Sequence, residues 1–242
     1  MGVMDLPAPL FGWVDAGLAD FLPSLARIVI WGVIAGVVSM GLYGMISPQR
    51  RLAEIKRDMA ETRQALDDCD GETSRAGPLL RRLLRLSVTQ VGMTLLPTLA
   101  ASLPVLMVLA WVSTAYGYSF PAASGAAAVD VRPAHLQAEL HEPTAGGRPH
   151  RIIVTDGNGS RVADLTLAAP VGILHRRQWW NLLVGNPAGY LPRNGAVDLV
   201  RLTLPRQQHL VFGPGWARGW EPAFFIALIC ASLGLKIGAR IH

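Results

Sequence analysis

Three long apolar runs with almost no charge constrain this chain of 242 residues more than anything else in it. The first, residues 28–46, reads IVIWGVIAGVVSMGLYGMI and includes the small residues Gly32, Ala35, Gly36, Ser39 and Gly41. As a helix it covers about 28 Å, close to the ~30 Å of bilayer hydrocarbon. No charged side chain occurs between Leu86 and Val129, and residues 88–112, VTQVGMTLLPTLAASLPVLMVLAWV, form a second run of spanning length. The third, residues 222–235, would give only about 21 Å of helix, which alone suits a buried soluble helix equally well. Its flanks argue for the membrane: Trp216 and Trp220 as interfacial anchors, Glu221 and Pro222 at a helix start, and Lys236 able to snorkel. Only 16% of the residues are charged, against roughly 25% in an average soluble domain.

Orientation follows from Lys and Arg in the short flanks. The first 26 residues contain neither, only Asp5, Asp15 and Asp20, whereas residues 47–87 carry nine, from Arg50 to Arg85. The positive-inside rule places that stretch in the cytoplasm, the N-terminus outside and Lys236 and Arg240 inside. The ten arginines from Arg132 to Arg218 are compatible with an outer location, because long translocated segments are largely exempt. The N-terminus lacks the basic region of a cleavable signal peptide. Leu10, Phe11, Val14, Leu18, Phe21 and Leu22 fall on one helical face, so residues 1–26 read as an outer interfacial amphipathic segment or as a helix packed on the outer domain.

The cytoplasmic stretch 48–87 reads as a coiled-coil-like hairpin. Leu52, Ile55, Met59, Thr62 and Leu66 make a two-heptad seam among charged neighbours. GETSRAGP at 71–78 supplies breakers, after which leucines alternate with Arg81, Arg82 and Arg85 into the second span. Two heptads bury too little apolar area for independent stability. The hairpin is therefore a solvated connector that fixes topology, or a platform that meets another protein, with Leu52, Ile55, Met59, Arg81 and Arg82 as contact candidates.

An outside N-terminus, a first span, the charged segment SPQRRLAEIKRDMAETRQAL, an Arg/Leu-rich return, and a second span containing LLPTLAASLPVLMVLAWV together resemble the YidC-type insertase superfamily. In layout the chain is most similar to the archaeal YidC-like proteins and the insertase subunit of the ER membrane protein complex. The resemblance covers about residues 27–114 and the last span. It implies a partly polar groove between three helices that receives client transmembrane segments and lowers the cost of placing polar groups in hydrocarbon. The residues it singles out are Ser39, Thr89, Gln90, Thr94, Thr98, Ser102 and Ser232. Gln90 is the most suggestive, with an ordinary helix-to-helix hydrogen bond of ~0.6 kcal/mol as the competing role. The resemblance also implies a cationic groove residue; Arg27 is the nearest match, but it lies at the outer edge of its span, where it can instead anchor to lipid phosphates.

Residues 122–214, between the second and third spans, depart from the minimal family pattern. RIIVTDGNGSRVADLTL alternates around a Gly-containing turn, and AVDLVRLTL and HLVF are further strand-like runs. They predict a small β-sandwich-like or open-sheet domain. Trp179 and Trp180, beside Leu182, Leu183 and Tyr190, suit contact with the outer leaflet or a partner, with Arg176 and Arg177 meeting headgroups, or else the domain's own core.

No phosphate loop, metal signature or nucleophile motif is present, so no enzyme activity, cofactor or metal is expected. Cys69 and Cys230 fall in separate regions and predict no disulfide, and the six histidines have no ligand spacing. The pI of about 9.8 does not imply specific nucleic-acid binding, because the membrane divides the basic residues, although ribosome contact is compatible with the hairpin. The sequence thus predicts an α-helical integral membrane protein with three transmembrane helices (27–47, 88–114 and within 216–242), a cytoplasmic hairpin and an inserted extracytoplasmic β-rich domain. The expected location is a bacterial inner membrane. The expected role is a membrane-protein insertase or assembly factor acting on client membrane proteins; the alternative is a structural or accessory subunit of a larger membrane complex.

Overall fold

The computed structural model describes residues 2–68, 73–121, 128–141 and 149–238, with only the backbone of 73–75. Residues 69–72 including Cys69, the start of the expected β-rich domain at 122–127, its segment 142–148, and the tail 239–242 lie outside the described residues. Among the described residues, five helices, α1 (Ala8–Ala19), α2 (Ser24–Ile46), α3 (Gln49–Asp67), α4 (Thr73–Ala115) and α5 (Trp220–Gly238), accompany six strands. The chain divides into two compact units, Met1–Val29 with Leu106–Phe224, and Ile30–Val105 with Phe225–His242.

Among the described residues, three helices, α2, α4 and α5, are long and apolar enough to cross a membrane. Their burial runs against the rule for soluble helices. On α2, Ile28, Trp31, Gly32, Ala35 and Gly36 are buried, while Val29, Val33, Ile34, Val37 and Val38 are exposed. A helical period separates two faces, as in any packed helix, yet the outward face is as apolar as the inward one. On α5, Phe224 and Ala227 are buried, whereas Phe225, Ile226, Ile229 and Leu233 are open. The exposed side of α4 is likewise apolar, from Val88 through Leu95, Leu96 and Leu99 to Leu106. Continuous apolar surface on this scale has to be covered by lipid or by another protein.

The Arg/Leu-rich return and the second span form one helix of 43 residues, α4, with Pro78, Pro97 and Pro104 inside it. The seam expected on α3 is present: Leu52 and Thr62 are buried, and Ile55, Met59 and Leu66 are half-buried. Thr62, the polar member, donates its hydroxyl to Asp58 O at 2.6 Å and so satisfies itself within the helix.

The β-rich part folds as two antiparallel sheets of three strands, ordered β1-β6-β5 and β2-β3-β4. β1 is Val129–Arg132, β2 Gln137–His141, β3 His150–Thr155, β4 Arg161–Leu167, β5 Ile173–His175 and β6 Leu199–Leu202. The β3–β4 hairpin turns where the sequence alternation broke. Asp156 Oδ1 accepts from the backbone N–H groups of Asn158 and Ser160, both at 2.9 Å, and Gly159 takes φ +80°, a conformation that glycine adopts without a Cβ penalty. Ile152, Val154 and Leu167 from one sheet and Leu174, Val200 and Leu202 from the other share one hydrophobic core, so the arrangement is sandwich-like.

Two expectations are corrected. HLVF is not a strand: His209 N and Leu210 N donate to Arg218 O, and Val211 and Phe212 are exposed. A short bond pair to a neighbouring loop replaces the ladder its apolar composition suggested. Trp220 is not an exposed anchor but the buried first residue of α5, packed edge-to-face on Phe224 with ring centroids 5.9 Å apart.

Candidate functional site

Within the unit formed by residues 30–105 and 225–242, the polar side chains of the apolar helices fall into two classes. Thr89, Thr94, Thr98 and Ser102 each donate their hydroxyl to a carbonyl three or four residues back, at 2.8, 3.1, 2.7 and 2.7 Å. That local bond satisfies the donor without a partner helix. The Ser39 and Ser232 hydroxyls and the Gln90 amide make no hydrogen bond among the described residues. Gln90 carries two donors and an acceptor on a helix whose neighbouring side chains are uncharged from Leu86 onward. The structure therefore separates Ser39, Gln90 and Ser232, which retain bonding capacity, from Thr94 and Ser102, which have spent their donors.

Helices α2 and α5 meet closely in this unit. A Cβ placed on Gly36 would lie 2.8 Å from Leu228 O and 3.1 Å from both Ala231 Cβ and Ser232 Oγ. Only glycine permits that approach, a recurrent way for apolar helices to gain contact where hydrophobic driving force is absent. The candidate Ser232 is thus placed against α2. On the α3 seam Leu52 is buried, while Ile55 and Met59 keep partial exposure; Arg81 and Arg82 on α4 are exposed.

Arg27 occupies a different setting from either of those considered for it. In the unit formed by residues 1–29 and 106–224, its Nη1 donates to Asp15 Oδ2 at 2.5 Å, and its guanidinium carbon sits 5.5 Å from the centre of the Tyr116 ring. Tyr116 donates to Asp15 Oδ1 at 2.5 Å. His209 then joins the group, its Nε2 lying 3.1 Å from Tyr116 O and its Nδ1 3.0 Å from Ser24 Oγ. Since a carbonyl only accepts, Nε2 carries the hydrogen and, in the neutral ring, Nδ1 accepts from the serine. Burial, reinforced by the Asp15 carboxylate, pushes the Tyr116 phenol well above its ordinary range. In place of a free cation, Arg27 is compensated by a carboxylate on α1. Asp15, Ser24, Tyr116 and His209 escaped the sequence reading. The available signal was a lone Asp within an apolar helix followed by a lone Arg at the start of the next, since charges in such surroundings are almost always paired.

The same unit pins the N-terminal segment to the loop after β5. Met4 N donates to Leu183 O at 2.9 Å, and Asp5 Oδ2 accepts from Gly185 N at 2.7 Å and from Gly2 N at 2.8 Å. A Cβ on Gly2 would meet Leu183 O at 2.5 Å. On α1, Phe11 packs edge-to-face on Trp111, whereas Leu10 and Trp13 point outward. The expected single apolar face is therefore split between an inner and an outer side. Trp179 is 78% exposed and Trp13 76%, which removes both from the domain core. Trp180 stacks at a tilt on His175 with centroids 5.0 Å apart, and Trp216 is exposed. Arg176 is half-buried and paired with Asp198 at 2.6 Å, so it is less open to headgroups than expected, whereas Arg177 lies over the Tyr190 ring and remains exposed.

No family model, no curated protein and no solved structure matches the chain.

Proposed function

We propose that the protein is a membrane-protein insertase or assembly factor, in which α2, α4 and α5 cross a bacterial inner membrane and offer polar groups to client transmembrane segments. The observation that carries this reading is the unspent bonding capacity of Gln90 on α4, whose Thr94, Thr98 and Ser102 hydroxyls bond within the helix, together with that of Ser39 on α2 and Ser232 on α5. Each polar or backbone group of a client that enters hydrocarbon without a partner costs several kcal/mol. An amide able to donate and accept lowers that cost while the client is in transit. A groove used transiently must have bonding capacity left over in the resting protein, which a permanent helix interface would have consumed.

In this reading the α3 seam and Arg81 and Arg82 lie in the cytoplasm, where clients or the ribosome arrive. The β-rich unit lies outside, with Trp13, Trp179 and Trp216 as interfacial anchors. Site-specific photocrosslinking in native membranes from Met59, Gln90 and Thr94 tests it. Capture of short-lived nascent membrane proteins is the expected result. Capture of one stoichiometric subunit would replace it with the alternative, an accessory subunit whose apolar faces pack permanently on partner helices.

A further inference from the structure

An open cleft of about 390 Å³ lies within the unit formed by residues 1–29 and 106–224, within the size range of small-ligand sites. Ser113 and Thr114, in the last turn of the apolar helix α4, form one wall. Tyr118, His175 and Trp180 form others, and Asp5 closes it from the N-terminal segment. Among the described residues the walls carry no Lys or Arg, and Asp5 is their only charge.

Several of the lining polar atoms are left as acceptors. Ser113 and Thr114 both give their hydroxyl hydrogens to Ala110 O, at 2.8 and 3.1 Å, leaving oxygen lone pairs. His175 Nδ1 is 2.7 Å from Arg176 O, an acceptor, so Nδ1 holds the hydrogen and the neutral ring presents a lone pair at Nε2. The Tyr118 hydroxyl has no partner among the described residues. A ligand complementary to such a cleft is a hydrogen-bond donor and is neutral or cationic where it enters. The rim is apolar and open: Ile173, Trp180 and Val184 are 45, 42 and 42% exposed. Such a rim suits a ligand with a hydrocarbon tail.

From this charge and surface complementarity we infer that the cleft binds one phospholipid with a primary-ammonium headgroup. The ammonium enters among the acceptors beside Asp5, the anionic phosphate stays outside at the mouth, and the acyl chains lie on the exposed apolar rim. The inference rests on the membrane reading, which puts the end of α4 among lipid headgroups, but not on the insertase role.

The test uses the full chain, delipidated in detergent and offered dioleoyl phosphatidylethanolamine, phosphatidylcholine or phosphatidylglycerol, with bound lipid counted by native mass spectrometry. One phosphatidylethanolamine per chain is expected, retained at least tenfold over phosphatidylglycerol. Phosphatidylcholine, whose quaternary ammonium has no N–H, should be retained less than phosphatidylethanolamine. Ser113→Trp should abolish retention by filling the cleft, whereas Leu103→Trp, on the exposed side of α4, should not. Asp5→Asn, which keeps an acceptor and removes the charge, should erase most of the discrimination against phosphatidylglycerol, and it serves if Ser113→Trp does not fold. Equal retention of the three lipids, or retention unchanged in both cleft variants, overturns the site. Release of the wild-type chain from membranes by alkaline carbonate would instead remove the membrane reading and the site with it.

Discussion

Arg27 Nη1 lies 2.5 Å from Asp15 Oδ2, and the other oxygen of the same carboxylate accepts from the Tyr116 hydroxyl at 2.5 Å. One carboxylate thereby joins α1, the first turns of α2 and the residue that follows α4. The two charged side chains retain only 17 and 12% of their accessible surface. Removing one member leaves the other as an uncompensated buried charge, a loss of about 3–5 kcal/mol, whereas removing both costs less than the sum. Asp15→Ala and Arg27→Ala should each lower the thermal midpoint in detergent sharply, and the double variant should be no worse than either. Additive losses would show that the pair is not coupled.

Tyr116 makes stability depend on alkaline pH. Its folded-state pKa is raised, first by burial and then by Asp15, above the unfolded value of about 10. The group's contribution is complete below that unfolded value and is lost as pH rises toward the folded one, because only the unfolded chain ionises in between. Stability should fall above pH ~10 by up to about 1.4 kcal/mol per unit. Denaturant midpoints at pH 9 and pH 11 measure this, and Tyr116→Phe should flatten the difference. A wild-type midpoint unchanged over that interval would contradict the assignment.

Two glycines of α2 should respond oppositely to alanine. At Gly36 the added methyl meets Leu228 O at 2.8 Å, while at Gly41 it meets nothing within 4 Å. Gly36→Ala should destabilise by about 1–3 kcal/mol through overpacking; Gly41→Ala should be neutral or stabilising by ~0.5–1 kcal/mol, the helix preference of Ala over Gly. Thermal scans of the two variants decide it, and a milder effect at Gly36 than at Gly41 would remove the close α2–α5 approach.

The tryptophans should divide in a bilayer. Trp13 and Trp179 are more than three-quarters exposed, whereas Trp31 and Trp220 are 3 and 8% exposed. If the exposed pair sits in the lipid interface, lipids brominated near the carbonyls should quench single-tryptophan variants at Trp13 and Trp179 several-fold more than those at Trp31 and Trp220. Stronger quenching of Trp179 by acrylamide in water than by any brominated lipid would place it in solvent.

Hydropathy and periodicity are local properties, and what they govern could be read from the sequence. The apolar runs at 28–46 and 88–112 became α2 and the body of α4, and the short third run lengthened to Trp220–Gly238. Absence of charge over twenty residues and a helix fit one another wherever the chain goes. The α3 seam and the β3–β4 hairpin were legible for the same reason, since a 3,4 spacing and an alternation around Gly159 each specify one element by itself. Tertiary structure decided which element meets which. Asp15, Arg27, Tyr116 and His209 are separated by up to 194 positions, and no spacing rule brings a carboxylate on α1 to a phenol after α4 or an imidazole after β6. It also took spatial neighbours to show that Thr94 and Ser102 bond within their own helix while Gln90 does not, and that Trp220 is buried while Trp179 is open. A side chain's type is written in the sequence, but whether its hydrogen bonds are already spent depends on neighbours that only the folded chain supplies.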